Sequence, residues 1–288
     1  MRGDAGFPVR LRFTKRGKVR FISHRDVARA FERAFRVQQL PLAFTQGFVP
    51  RPKVSFGLAV SVGHESDAEY LDVQLAEEVS LDALAGAVSG ALPDGIDVTG
   101  AAALADRAPA LQESVTGLAY RVTVTGPDDA RVEPDDLRVA VGDALARPAL
   151  PVTRTRKGHQ ATEDLRSIVR TMAVTDADDL GPVLDLELST QPRSARPAEV
   201  LSAVGGDLVD RRVLRTKQWI ERGGARLEPL EADARSRVPK GARVMREEGT
   251  HVRQHPDGGP PGLRGRPREL GAGRRRREPD RVDEANIR

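Results

Sequence analysis

The order in which apolar patterns change along the chain limits its fold more than any other feature. Strand-like alternation, helical spacing, two strands, a second helix and a last strand follow one another, and the same order then runs again. In the first pass, residues 9–13 and 19–22 read as strands joined by a turn at 15–18. Ser23 reads as an N-cap with Asp26 three residues on, so a helix is predicted from there to about Gln39, stopped by Leu40-Pro41. Strands at 54–60 and 70–75, a helix over 81–92 and a strand near 96–102 complete that pass. In the second, strands are expected at 119–125, 152–155, 183–189 and 208–217, with helices over 134–146 and 198–204 and an extra segment inserted at 165–174.

Two βαββαβ units imply an α+β protein of two tandem ferredoxin-like domains, each an antiparallel sheet with both helices on one face. The expected boundaries are 1–105 for the first domain, 106–117 for a linker and 118–231 for the second. From 232 to 288 Pro, Gly and Arg dominate and apolar residues stand alone. Such a segment cannot offset a backbone entropy cost of about 1–2 kcal/mol per residue, so a disordered tail is expected. An arginine-rich tail suits RNA; it suits a passive extension equally.

Composition removes several classes of function. The chain has no cysteine, which excludes disulfides, thiol nucleophiles, zinc–thiolate sites and ligation of an iron–sulfur cluster by this polypeptide. No apolar run reaches the ~18 residues that would span a bilayer, and no signal-peptide layout opens the sequence, so a cytoplasmic protein without membrane contact is expected. P-loop, dinucleotide and nucleophile-elbow motifs are absent, and neither a cofactor nor a metal is expected in this chain. Charge is segregated: residues 1–57 hold thirteen Lys/Arg against three Asp/Glu, and residues 58–118 one against eleven. This pattern makes a polyanion-binding surface with an acidic reverse side, or two segments that pair in the fold.

The helix after Ser23 carries the most informative spacing. Arg25, Arg29, Arg33 and Arg36 fall within about 80° of one another, while Val27, Ala30, Phe31, Ala34 and Phe35 take the opposite side. Successive guanidiniums are then spaced about as closely as phosphates along a strand. The plain alternative is a solvated face. Arg12, Lys15, Arg16, Lys18 and Arg20 precede the stripe, and Arg51 and Lys53 follow it in a loop where Phe44, Phe48, Pro50, Pro52 and Phe56 are interleaved. Aromatics between cations form a base-stacking platform, although Phe48 and Phe56 at strand periodicity read more readily as core. In the second half Arg154, Arg156 and Lys157 form a further candidate anion-binding turn. His24 at the first turn of the helix and Lys53 are the catalytic candidates, as a proton-transfer pair. His64 with Glu65, Asp67 and Glu69 lacks a second histidine and is not read as a metal site.

The run Arg20-Phe21-Ile22-Ser23-His24-Arg25-Asp26, with Phe31-Glu32-Arg33-Ala34, Leu40-Pro41, Gln46-Gly47-Phe48, Pro50, Pro52-Lys53-Val54-Ser55-Phe56 and Glu69-Tyr70-Leu71-Asp72, closely resembles the radical-SAM-linked protein family. The match is dense over 9–75 and thinner to about Glu221. The family pattern more often has leucine at Arg25, asparagine at Val49 and histidine at Arg51; the last difference weighs against a catalytic imidazole in that loop. This resemblance implies a radical-SAM protein as partner, with the cluster held by that partner because this chain has no cysteine. Tandem ferredoxin-like domains with a basic helix also look like the CRISPR repeat-processing endonucleases, in architecture only. The expectation is an RNA-binding accessory protein for tRNA or rRNA modification, with Lys18, Arg20, Arg25, Arg29, Arg33, Arg36, Arg51, Lys53, Arg154, Arg156 and Lys157 on phosphates. The alternatives are a metal-independent RNA endonuclease using His24 and Lys53, and a protein-interaction module that docks through the acidic 58–118 segment.

Overall fold

The computed structural model describes residues 6–105, 108–156 and 159–234. Strand β1 (Phe7–Lys15) opens the fold, followed by a short 3-10 turn (Gly17–Phe21), helix α1 (His24–Val37), β2 (Val54–Phe56), β3 (Glu65–Leu75), α2 (Leu81–Ser89) and β4 (Val98–Ala103). After α3 (Leu111–Ser114) come β5 (Gly117–Thr125), α4 (Pro134–Ala146), β6 (Pro151–Arg156), β7 (His159–Asp164), β8 (Val169–Ala177) and β9 (Pro182–Ser189). Helix α5 (Pro197–Val204), β10 (Val209–Arg222), β11 (Ala225–Leu227) and α6 (Pro229–Ala232) close it.

Nine strands form one large, mostly antiparallel sheet with the main order β4-β1-β3-β10-β5-β9-β8; β2 pairs with β3 and β11 with β10. The exception is β3–β10, which run parallel with Leu214 opposite Glu65 and Arg215 opposite Ser66. Alternation decides what each face carries. In β1, Val9, Leu11 and Phe13 join a core with Phe31 and Phe35 of α1, Leu71, Val73 and Leu75 of β3, and Leu84 and Val88 of α2. Fully burying a side chain of that size contributes about 1.5–3 kcal/mol. A second core gathers Leu118, Tyr120 and Val122 of β5 with residues of α4, β9 and α5, and takes in Ala68 and Tyr70 of β3. Leu111 and Val115, inside the expected linker, are buried in that second core.

Several elements depart from the sequence reading. Residues 19–22 do not form a strand: Gly17, at φ +65°, turns the chain out of β1, and Lys15 Nζ donates to the carbonyls of Arg20 and Ile22, holding the turn against the core. The strand expected over 54–60 stops at Phe56. Beyond that point the neighbouring edge of β3 is taken by β10, and the amide of Val60 turns to the Glu69 carboxylate. The segment 152–155 belongs to a separate two-stranded ribbon, β6–β7, whereas the supposed insertion supplies β8, the edge of the main sheet. Sequence alternation cannot distinguish the two, since both runs are amphipathic.

The described chain continues past the expected end of the second domain at residue 231. Asp233 is buried, and Ala234 bridges to Leu104. A guanidinium explains this anchoring: Arg10, fully buried, binds Asp72 through two nitrogens at 2.7 and 2.9 Å and reaches Asp233 at 2.9 Å with its third. Beside it Gly100 allows α6 to lie close, since a Cβ there would stand 2.7 Å from Leu230 Cδ1. The disordered tail expected from 232 onward otherwise lies outside the described residues.

Candidate nucleic-acid interface

Helix α1 begins where the sequence places it. Ser23 Oγ accepts from the Asp26 amide at 3.3 Å and donates to the Asp26 carboxylate at 2.6 Å, and that hydrogen bond is the main reason the carboxyl titrates below its usual range. The helix ends as Leu40 N donates to the Phe35 carbonyl and Gln39 adopts φ +50°. Val27, Phe31, Ala34 and Phe35 face the core. Arg25, Arg29, Arg33 and Arg36 are all exposed.

The ion pairs separate the two readings of the charge asymmetry residue by residue. Three of the cations of β1 and the following turn are spent on the acidic segment: Arg10 on Asp72, Arg16 on Asp67 at 2.5 Å and Arg20 on Glu65 at 3.7 Å. Arg12 pairs with Glu228, and Lys15 is buried, its pKa lowered by that burial. The helix is different. Arg29 meets only Asp26, at 3.3 Å and in full view of solvent, and Arg25, Arg33 and Arg36 form no ion pair among the described residues. A guanidinium row held on a helix, with only one exposed carboxylate, Asp26, to displace, is a ready site for phosphates.

After α1 the chain touches the end of β3 through Leu42 and Ala43 and then runs into a loop. Thr45 N donates to the Arg51 carbonyl at 2.8 Å, and Arg51 N donates back to Thr45 Oγ1 at 3.0 Å, closing the intervening turn on itself. Phe44 bridges to Pro52 across the base. Phe48 stands at the tip with a relative exposure of 107% and Val49 beside it is 72% exposed. Phe48 is therefore not core, contrary to its strand-like spacing: the loop is pinched off before it can pair with the sheet. Phe56 does pack at the margin of the first core. Arg51 is exposed on the same loop and has no ion pair among the described residues. Lys18 is exposed and unpaired as well, and near it the Arg20 guanidinium lies 4.5 Å from the centre of the exposed Phe21 ring.

Other candidate residues fall elsewhere. Arg154 is engaged by Glu199 at 2.8 Å and Glu163 at 3.7 Å, which removes it from the anion-binding set. Lys157 lies outside the described residues, as does the side chain of Arg156. His24 packs edge-on against Phe56, ring centres 4.9 Å apart, on the helix-covered side of the sheet. Lys53 precedes β2 on the opposite face, beside Ser55 and Asp72. Strand alternation separates the proposed proton-transfer pair. The acidic group at 64–69 is likewise dispersed: His64 faces Asp210 at 3.7 Å, Glu65 accepts from the Gly17 amide, Asp67 holds Arg16 and Glu69 pairs with Arg215. Among the described residues no cluster of three His, Cys, Asp or Glu side chains is placed to hold a metal, and no helix is long and apolar enough to cross a membrane.

Comparison with known proteins gives one sequence match and distant structural ones. Residues 9–197 match a family described as an uncharacterized protein conserved in bacteria, DUF2344. No curated protein matches the chain in sequence. A chain in the crystal structure of a Cbf5-Nop10-Gar1 complex superposes with a TM-score of 0.40 at 9% identity, over 76% of this chain and 54% of that one. A chain of an H/ACA RNP bound to a substrate RNA containing 2′-deoxyuridine gives a TM-score of 0.37 at 10% identity, over 75% of this chain and 53% of that one. The chain thus spans about half the length of these structures, and likenesses at that level do not speak to its function.

Proposed function

The chain belongs to DUF2344, a family of uncharacterized proteins conserved in bacteria, and from that premise we propose that it is an RNA-binding accessory protein whose helix α1 tracks a phosphate backbone. One observation carries the reading: Arg25, Arg33 and Arg36 are exposed on one helix face with no carboxylate partner among the described residues, whereas Arg10 and Arg12 of β1 and Arg16 and Arg20 after it are held in internal pairs. The self-closed loop that follows α1 in the chain adds an exposed aromatic, Phe48, and a further cation, Arg51, with no ion pair among the described residues. Phosphate tracking by a basic row with stacking by an aromatic is the chemistry of single-stranded RNA recognition.

Two finer elements belong to the same proposal. Strand order β4-β1-β3-β2 in the first half and β10-β5-β9-β8 in the second fits two ferredoxin-like units fused edge to edge through β3 and β10. The resemblance to radical-SAM-linked proteins supplies a partner: an enzyme that carries its own cluster and acts on the RNA this chain presents. The endonuclease reading loses its proton-transfer pair, because His24 and Lys53 stand on opposite faces of the sheet. The docking-module reading loses Glu65, Asp67, Glu69 and Asp72 to internal pairs.

The test is a salt titration of binding to short single-stranded RNA, comparing the native chain with an Arg29→Glu/Arg33→Glu double variant. Each lost phosphate contact lowers the slope of log K against log[salt] by about 0.7 for a single strand. The expected result is binding reduced at least tenfold and a shallower slope at unchanged melting temperature. Equal affinity and slope in both proteins would overturn the reading.

A further inference from the structure

The face of the sheet turned away from α1 carries an open groove of about 400 Å³, lined by Pro8 of β1, Lys53 and Ser55 at β2, Asp72 and Gln74 of β3 and Leu104 after β4. A volume of that order suits a small organic ligand, since such pockets run from roughly 300 to 1,000 Å³. The internal cavity beside His24 and Lys15, by contrast, offers only about 10 Å³.

The groove's polar groups converge by register. Ser55 stands opposite Asp72 in the β2–β3 ladder, and Lys53 and Gln74 occupy the next positions on the same face. Asp72 is fixed by the paired nitrogens of the buried Arg10, so its carboxylate is held still at the floor. The side chains of Lys53, Ser55 and Gln74 have no hydrogen-bond or ion-pair partner among the described residues. The groove therefore offers one free cation, one hydroxyl, one amide that both donates and accepts, and one pre-oriented acceptor. Pro8 and Leu104 give it apolar walls.

We propose that this groove binds a single nucleotide, with its phosphate on Lys53, its sugar hydroxyls at Asp72 and Ser55, and the edge of its base on Gln74 against the apolar wall. This chemistry is shared by a free mononucleotide and by the terminal nucleotide of an RNA chain. The site lies across the sheet from the α1 stripe and stands or falls separately from the RNA-binding reading.

The experiment is calorimetric titration of the full chain with AMP, GMP, CMP and UMP, with inorganic phosphate as a further probe. At least one mononucleotide is expected to bind, at least tenfold more tightly than phosphate. Lys53→Ala, Gln74→Ala and the groove-filling Ser55→Leu each weaken it at least tenfold, while Arg29→Glu/Arg33→Glu leaves it unchanged. Ser55 is exposed and its substitution leaves the core intact. Displacement of the bound mononucleotide by a short RNA identifies the RNA end as the ligand; no displacement identifies the free nucleotide. Lack of binding by all four mononucleotides, binding unaffected by the three groove substitutions, or loss only in the α1 variant would overturn the proposal.

Discussion

Lys15 and Arg33 are cations of the same basic segment, eighteen residues apart, and they do opposite things. Lys15 ends β1 with its side chain inside, tethering the turn before α1, whereas Arg33 is exposed on the helix with no carboxylate partner among the described residues. Helical spacing makes the outward direction of Arg33 legible, because Phe31 and Phe35 must face the core. Lys15 was not legible: its burial depends on where the carbonyls of Arg20 and Ile22 come to lie, which no local pattern encodes. His64 shows the same dependence on distant chain. Burial lowers its pKa from 6.5, opposed by Asp210 and reinforced by Arg196, Arg215 and Lys15, while burial raises that of Asp210. A histidine whose folded pKa is depressed binds its proton more readily when unfolded, so its contribution to stability is present above about 6.5 and is lost as pH falls below it. His64 should therefore contribute a loss of stability as pH falls below about 6.5, of at most ~1.4 kcal/mol per pH unit. His64→Gln should flatten the urea midpoint over that range; an identical slope in the variant would show that His64 does not titrate differently in the two states.

The loop between α1 and β2 and the edge strand β8 mark where element-level reading succeeds and fails. Composition marks the loop, whose prolines read as stiff and extended; the closed turn and the outward direction of Phe48 do not follow from it, because pairing of Thr45 with Arg51 closes the turn before the sheet can capture the ring. For β6 and β8 the sequence offers two alternating runs competing for one sheet edge, and the choice rests on which can lie beside β9. Phe48 is a contact element with no share in the core, and that yields a clear expectation. Phe48→Ser should leave unfolding free energy within ~0.5 kcal/mol of native and weaken single-stranded RNA binding by about 1–3 kcal/mol, the typical worth of one stacked base. Equilibrium unfolding and a binding isotherm on the same preparation read both; a large loss of stability would mean that the ring is packed in solution.

At the scale of the molecule, the parallel contact between β3 and β10 joins both halves into one sheet, and the chain after β10 returns to the first half. Asp233 touches Arg10, Glu228 pairs with Arg12 and Leu230 lies against Gly100. A boundary at residue 231 was natural from the sequence, because apolar periodicity ends there; the anchor beyond it is ionic and invisible to periodicity. Asp233→Ala removes one of two carboxylates from a buried guanidinium and should cost about 1–3 kcal/mol, measurable as a lowered urea midpoint, whereas no change would mean that Asp72 and the Pro229 carbonyl together satisfy Arg10. The same closure has a consequence for synthesis. As the chain leaves the ribosome, the first half has all its own strands long before residue 233 arrives, yet the guanidinium inside it still waits for its second carboxylate and its covering helix. The half that is made first is the half that is finished last, so a nascent chain arrested midway carries an incompletely sealed first half.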